Sequence, residues 1–218
     1  MALTLPLSLA DFWDTLNVRT GVPMLVEQQE FSGLGTGEGL AHDLGPRLWQ
    51  MAVQSAPQPF DDVQALRARI DALDGAINTF YATYKGKEYP KADPDGSILG
   101  SATPTIHTID ANRKEMRVTG LPAGYVLTAG DMLAVDYGSP SRRALVRLVT
   151  GATASGAGLT PLFEVRPHLR PGITTTLDAI LKKPAMKCKI VPGSLSTEDN
   201  MMVTGSISFT VRQTLAAG

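Results

Sequence analysis

The sequence predicts a mainly β fold with one principal α-helix, and three observations carry that prediction. Glycine (21) and proline (15) are abundant in 218 residues, while aromatics are only 6%. That mix suits strands joined by turns better than a helical bundle. Only one segment carries a helical apolar stripe. Elsewhere apolar residues alternate over short runs bounded by Gly, Pro, Asn and Asp.

Taken in order, residues 18–30 are extended, with Pro23 favouring an edge position or the first part of a strand. A glycine then stands at every second position from Gly33 to Gly39. In 48–54, Trp49, Met51 and Val53 share one face of a half-buried strand. Two strands around a glycine loop make a long hairpin. Pro57 and Pro59 break the chain, and Asp61 reads as an N-cap with Asp62 beside the positive end of the helix dipole. Val63, Leu66, Ile70 and Leu73 then fall on one stripe, which predicts a helix over 61–74 lying against a sheet and stopped by Gly75. Residues 78–84 read as the next strand.

Residues 85–100 are polar and turn-rich and mark the best internal boundary. Beyond it come short strands at 105–109, 115–118, 132–137, 144–149 and 162–165. Gly/Pro turns separate them, the pattern of a small all-β barrel or sandwich. Two last strands, 185–191 and 205–215, flank a loop at 192–200. In the second of them Ile207, Phe209 and Val211 alternate with polar residues.

The bulk numbers exclude several classes. No apolar run is long enough to span a bilayer, so no membrane insertion is expected. Met1 to Ala10 lacks a basic n-region and runs straight into Asp11-Phe12-Trp13-Asp14, so it does not read as a signal peptide. The single Cys188 excludes an internal disulfide framework and a multi-cysteine metal site. Charge is unevenly spread. Residues 1–95 hold 13 acidic and 7 basic side chains, a balance of −6; residues 96–218 hold 8 and 13, a balance of +5. Opposite-signed halves are either two solvated faces or the mark of a chain that stacks head to tail or bridges unlike partners.

No motif carries catalysis or a cofactor. Gly33, Gly35 and Gly37 partly mimic a dinucleotide fingerprint, but no helix opens after them and no Lys-Ser/Thr follows. A flexible hairpin tip that orders against a neighbour fits them better. Asp93-Pro94-Asp95-Gly96 opens like a calcium loop but lacks the later ligands, so it reads as a type I turn. His42, His107 and His168 are isolated in sequence, and neither a nucleophile elbow nor a carboxylate pair is present. His168 lies in the stiff cationic segment Arg166-Pro167-His168-Leu169-Arg170-Pro171, a candidate contact surface. Arg142-Arg143 with Arg147, and Lys182-Lys183 with Lys187 and Lys189, form basic groups without interleaved aromatics. They suit a salt-bridged subunit interface rather than nucleic-acid readout. Interface candidates are therefore the apolar, glycine-rich tip (Phe31, Ser32, Gly33, Leu34, Gly35, Gly37) and the cations Arg142, Arg143, Arg166 and Arg170, with His168.

Several segments carry a family resemblance. They are Leu73-Asp74-Gly75-Ala76-Ile77-Asn78-Thr79-Phe80, Asp93-Pro94-Asp95-Gly96, Gly120-Leu121-Pro122-Ala123-Gly124-Tyr125-Val126-Leu127 and Ala129-Gly130-Asp131-Met132-Leu133. Glu164-Val165-Arg166-Pro167-His168-Leu169-Arg170 and Lys183-Pro184-Ala185-Met186 follow. The stretch from Phe80 through Pro192 resembles the small distal tail proteins of siphophages and prophages. All these matches are fold-keeping turns and core positions.

The resemblance implies a structural virion protein without enzymatic activity or cofactor, at the distal end of a phage tail and assembled in the host cytoplasm. Its partners would be other copies of itself in a hexameric ring, the tail tube protein and the baseplate hub. It also implies an N-terminal β-sandwich with a helix (residues 1–96 with 181–218), whose long hairpins join neighbours. A small barrel of the oligonucleotide/oligosaccharide-binding (OB-like) type would occupy residues 97–180. Nothing here is long enough for the large carbohydrate-binding insertion of some relatives. Three other readings stand beside it. One is a tail-tube or tail-terminator subunit. Another is a glycan-binding module with Tyr125, Tyr137 and His168 as stacking residues. A small hydrolase is disfavoured for want of a nucleophile-base set.

Overall fold

The two ends of the chain build one antiparallel sheet, which the chain leaves after Thr83 and re-enters at Ala185. A computed structural model describes residues 3–33, 35–200 and 203–216. In chain order the elements are β1 (Val18–Thr20), β2 (Met24–Val26), β3 (Gln29–Gly33), β4 (Gly39–Asp43), β5 (Leu48–Ser55), β6 (Gln58–Pro59), α1 (Phe60–Asp71) and β7 (Phe80–Thr83). There follow β8 (Thr105–Ile109), β9 (Glu115–Thr119), β10 (Val126–Leu127), β11 (Met132–Tyr137), β12 (Arg142–Leu148), β13 (Ala152–Thr153) and β14 (Phe163–Arg166). β15 (Ala185–Ile190), β16 (Ser196–Asn200) and β17 (Thr204–Gln213) complete the set. About 40% of the chain is strand and 9% helical, so the protein is mainly β with one principal helix.

The larger sheet has eight strands in the order β1-β5-β17-β15-β7, with β2 also on β5 and β6 and β16 also on β17. Its inner face carries the alternating residues Trp49, Met51, Val53, Ile207, Phe209 and Val211, all buried. Val63, Leu66 and Ile70 of α1 and Phe12, Trp13 and Leu16 join them in one core. Each such side chain, fully buried, stabilises the fold by about 1.5–3 kcal/mol.

The helix starts and ends earlier than the sequence implies. The cap is Pro59, without a side-chain bond, and Asp61 and Asp62 lie in the first turn. The reason is the β6–β17 pairing (Thr204↔Pro59), which brings the Val203 carbonyl 3.2 Å from the Phe60 amide and satisfies it directly. At the other end Asp74 and Gly75 take positive φ (50° and 67°), and the Asn78 amide closes onto Leu73 O at 3.0 Å. Leu73 stays buried, but in the turn rather than the helix. The expected loop at 192–200 contains β16, which pairs along β17 from Ser196↔Ser208 to Asn200↔Thr204.

The second sheet runs β11-β12-β14-β9-β8. Residues 176–180 close it. On the β8 side the Ile106 amide donates to Leu177 O (2.9 Å) and the Thr176 amide to Ile106 O (2.7 Å). On the β11 side Ala134 and Ile180 exchange two bonds of 3.0 and 2.8 Å. Both edges are thus consumed, as in a small barrel.

The two cores share a wall. Met132, Ala134 and Leu145 belong to the core of the large sheet, while Leu133, Val135, Tyr137, Ala144, Val146 and Leu148 fill the barrel. β11 and β12 are therefore buried on both faces. Trp49 pins the wall: its indole N–H donates to Leu145 O at 2.7 Å, and the Arg147 guanidinium lies 4.7 Å from its ring centre. The polar segment 85–100 is fastened to the barrel by two fully buried carboxylates. Asp93 accepts the amides of Ile98 and Leu99 and the Tyr125 hydroxyl, and Asp131 accepts Lys87 Nζ and the Lys91 amide.

Candidate functional site

β3 and β4 form a two-stranded arm that continues the β2–β5 hairpin outward. Its register runs from Gln29↔Asp43 to Gly33↔Gly39, and Val26↔Leu48 lies just below it. Every described residue of β3 and β4 is exposed, and no other described strand pairs with this two-stranded sheet. An isolated two-stranded ribbon is at best marginally stable in water, and its unpaired edges and apolar faces are templates for another chain. Phe31 is 74% exposed, Leu40 60% and Leu44 65%. A Cβ on Gly39 would come within 2.6 Å of the Phe31 ring, so that glycine is what lets the ring lie against the facing strand. Gly33 and Gly35 have open space around them. Gly37, at φ 86°, turns the tip. Leu34 lies outside the described residues. The arm is acidic: Glu27, Glu30, Glu38 and Asp43 fall in a stretch with no Lys or Arg between Arg19 and Arg47.

The cationic segment meets the base of this arm. A cleft of about 300 Å³ has Asp43, Gly45, Pro46 and Arg47 on one wall and Arg166, Pro167, His168 and Arg170 on the other. Arg170 Nη2 donates to Arg47 O. Arg47 reaches Glu27 (3.7 Å) and Asp43 (3.8 Å), Gln29 Nε2 donates to Asp43 Oδ1 at 2.7 Å, and Arg166 pairs with Glu164. Partial burial holds the exposed His168 below its usual pKa, with the charges of Arg166, Lys114 and Arg47 acting the same way and Glu164 opposing. The cleft fixes the arm's root by charge, not its tip.

Sequence reasoning singled out Arg166, His168 and Arg170 and the tip, and the fold brings the cationic segment to the arm's root. It missed Asp43 and Arg47, whose i,i+4 spacing around Gly45-Pro46 was the available signal. Arg142 is exposed at the start of β12. Arg143 is committed within the chain: it donates to Asp136 through Nε (2.6 Å) and Nη2 (2.5 Å) and lies 4.4 Å over the Tyr81 ring. Two residues of the glycan reading are unavailable for stacking. Tyr125 is buried, its hydroxyl donates to Asp93 at 3.0 Å, and burial with that bond pushes its pKa up; Tyr137 is also buried.

Among the described residues no three potential ligands converge on a metal position. No described helix is long and apolar enough to cross a membrane. Compared with known proteins, the chain matches no protein-family model and no curated sequence.

Proposed function

We propose that the chain is a structural subunit of a closed ring. More particularly, it is the distal tail protein of a siphophage or prophage, joining the tail tube to the baseplate hub. The observation that supports this best is the arm. An acidic, apolar ribbon with no second layer gains a favourable environment only against another surface, and in a homo-oligomer that surface belongs to the next copy. The wall shared by the sheet and barrel gives such an arm a rigid base.

Deleting residues 32–39 tests the reading. Every described residue in that range is exposed, so the deletion leaves the melting temperature of the body within about 2 °C, a surface-sized effect. The mass in solution falls from a ring to a monomer. An unchanged ring refutes the role of the arm.

A further inference from the structure

Between the end of α1 and the start of β16 lies an apolar groove that no described residue fills. The arm springs from β2 and β5 on one side of the large sheet; β15, β16 and β7 form the other. Where β15 stops and β16 begins, Ile190, Val191 and Leu195 face Ile70, Gly75 and Ala76 at the end of α1, enclosing about 280 Å³. An adjoining hollow of about 310 Å³ shares Ala76, Ile190 and Val191 and reaches Lys189 and Arg212. A Cβ on Gly75 or Gly193 would meet nothing within 4 Å, so the groove is open down to the backbone. Ile77 beside it is 74% exposed.

We infer that this groove seats the arm of a second copy, with Phe31 as the anchor. Three observations select that occupant. Arm and groove both present apolar side chains, and neither is covered by a described residue. Their charges are complementary: Glu30 and Glu38 on the arm, which carries no Lys or Arg and whose root carboxylates Glu27 and Asp43 are already paired with Arg47, against Lys189 and Arg212 on the rim, with Asp71 the one carboxylate lining the groove. They are also separate patches of one subunit, the arm beyond β2 and β5 and the groove between the end of β15 and α1 with its hollow running back to Gln50 of β5, so a head-to-tail contact between them repeats from copy to copy and gives a ring where the rotation between copies closes. The inference rests on the ring reading above and adds the acceptor to it.

The test is a disulfide between copies. Cys188, the one native cysteine, is fully buried and burial pushes its thiol pKa up, so it stays silent. The double variant Phe31→Cys with Ala76→Cys is expected to give a ladder of covalent multimers under mild oxidation, and either single variant none. Phe31→Ala and Arg212→Glu, both at exposed positions, each weaken association, the first by about thirtyfold or more, the size of a hot spot. If the ring forms but no ladder appears and Arg212→Glu assembles normally, the groove assignment falls and the ring reading stands. A ladder from Phe31→Cys with Met24→Cys instead places the arm on the β2 edge and overturns the groove. A wild-type chain that stays monomeric at every concentration, together with no ladder from the double variant, overturns both.

Discussion

Replacing Asp131 tests how the polar segment 85–100 is held. Its carboxylate is fully buried. Oδ1 accepts Lys87 Nζ and the Lys91 amide, both at 3.0 Å; Oδ2 accepts the Thr128 amide at 2.8 Å and its hydroxyl at 2.9 Å. In Asp131→Ala the Lys87 side chain, 27% exposed, turns back to water and costs little. The two amides are fixed in the backbone and cannot follow, and each loses about 1–2 kcal/mol as a part-buried donor left without its acceptor. With Lys87 resolvated, the two amides together set the loss at about 2–4 kcal/mol. For a chain of 218 residues that is a drop of about 10 °C in melting temperature. Asp131→Asn keeps one acceptor oxygen but turns an NH2 group toward donors, and loses about 2–3 kcal/mol. Thermal unfolding followed by far-UV circular dichroism and by Trp13 and Trp49 fluorescence reads both variants. Both tryptophans sit in the core of the large sheet while Asp131 borders the barrel, so the two probes shift together if β11 and β12 are a common wall. A shift under about 2 °C for Asp131→Ala, or probes that part company, refutes the reasoning.

Two further predictions follow from the same geometry. Trp49→Phe removes the bond to Leu145 O and the face under Arg147, and lowers stability by about 2 kcal/mol in urea unfolding; a loss under about 0.5 kcal/mol contradicts the pinning role. His168 has a depressed folded pKa, so the unfolded chain binds its proton first. Its contribution costs nothing above the unfolded pKa of about 6.5 and becomes a penalty as pH falls through that value to the folded pKa. His168→Asn therefore flattens the loss of stability between about pH 7 and 5 relative to wild type, and a steeper loss contradicts the cationic environment.

What the sequence reveals of this fold depends on whether burial alternates. β5 and β17 are half-buried strands in the middle of a sheet, so their period-two pattern was readable residue by residue. β16 was not, because Ser196–Asn200 is polar on both faces and nearly all exposed; only its pairing with β17 makes it a strand. The arm showed itself as glycines rather than as β3 and β4 for the same reason. Residues 132–135 carried an unread signal. A continuous apolar run means burial on both faces, and it marked the wall between two cores. Residues 85–100 looked like a solvated boundary because Asp93 and Asp131 take partners up to 44 residues away, which no local pattern announces. Of the candidate site, Arg166, His168 and Arg170 were legible as a stiff cationic segment, but their meeting with Arg47 is a product of the fold.

The central claim is a closed ring held by arms. Native mass spectrometry of the purified full chain, with two-dimensional class averages of the same particles, tests it most directly. The expected result is a particle of about six times 23.2 kDa with six-fold views and a central opening. A single species of 23.2 kDa at every concentration, with no ring in the averages, contradicts it.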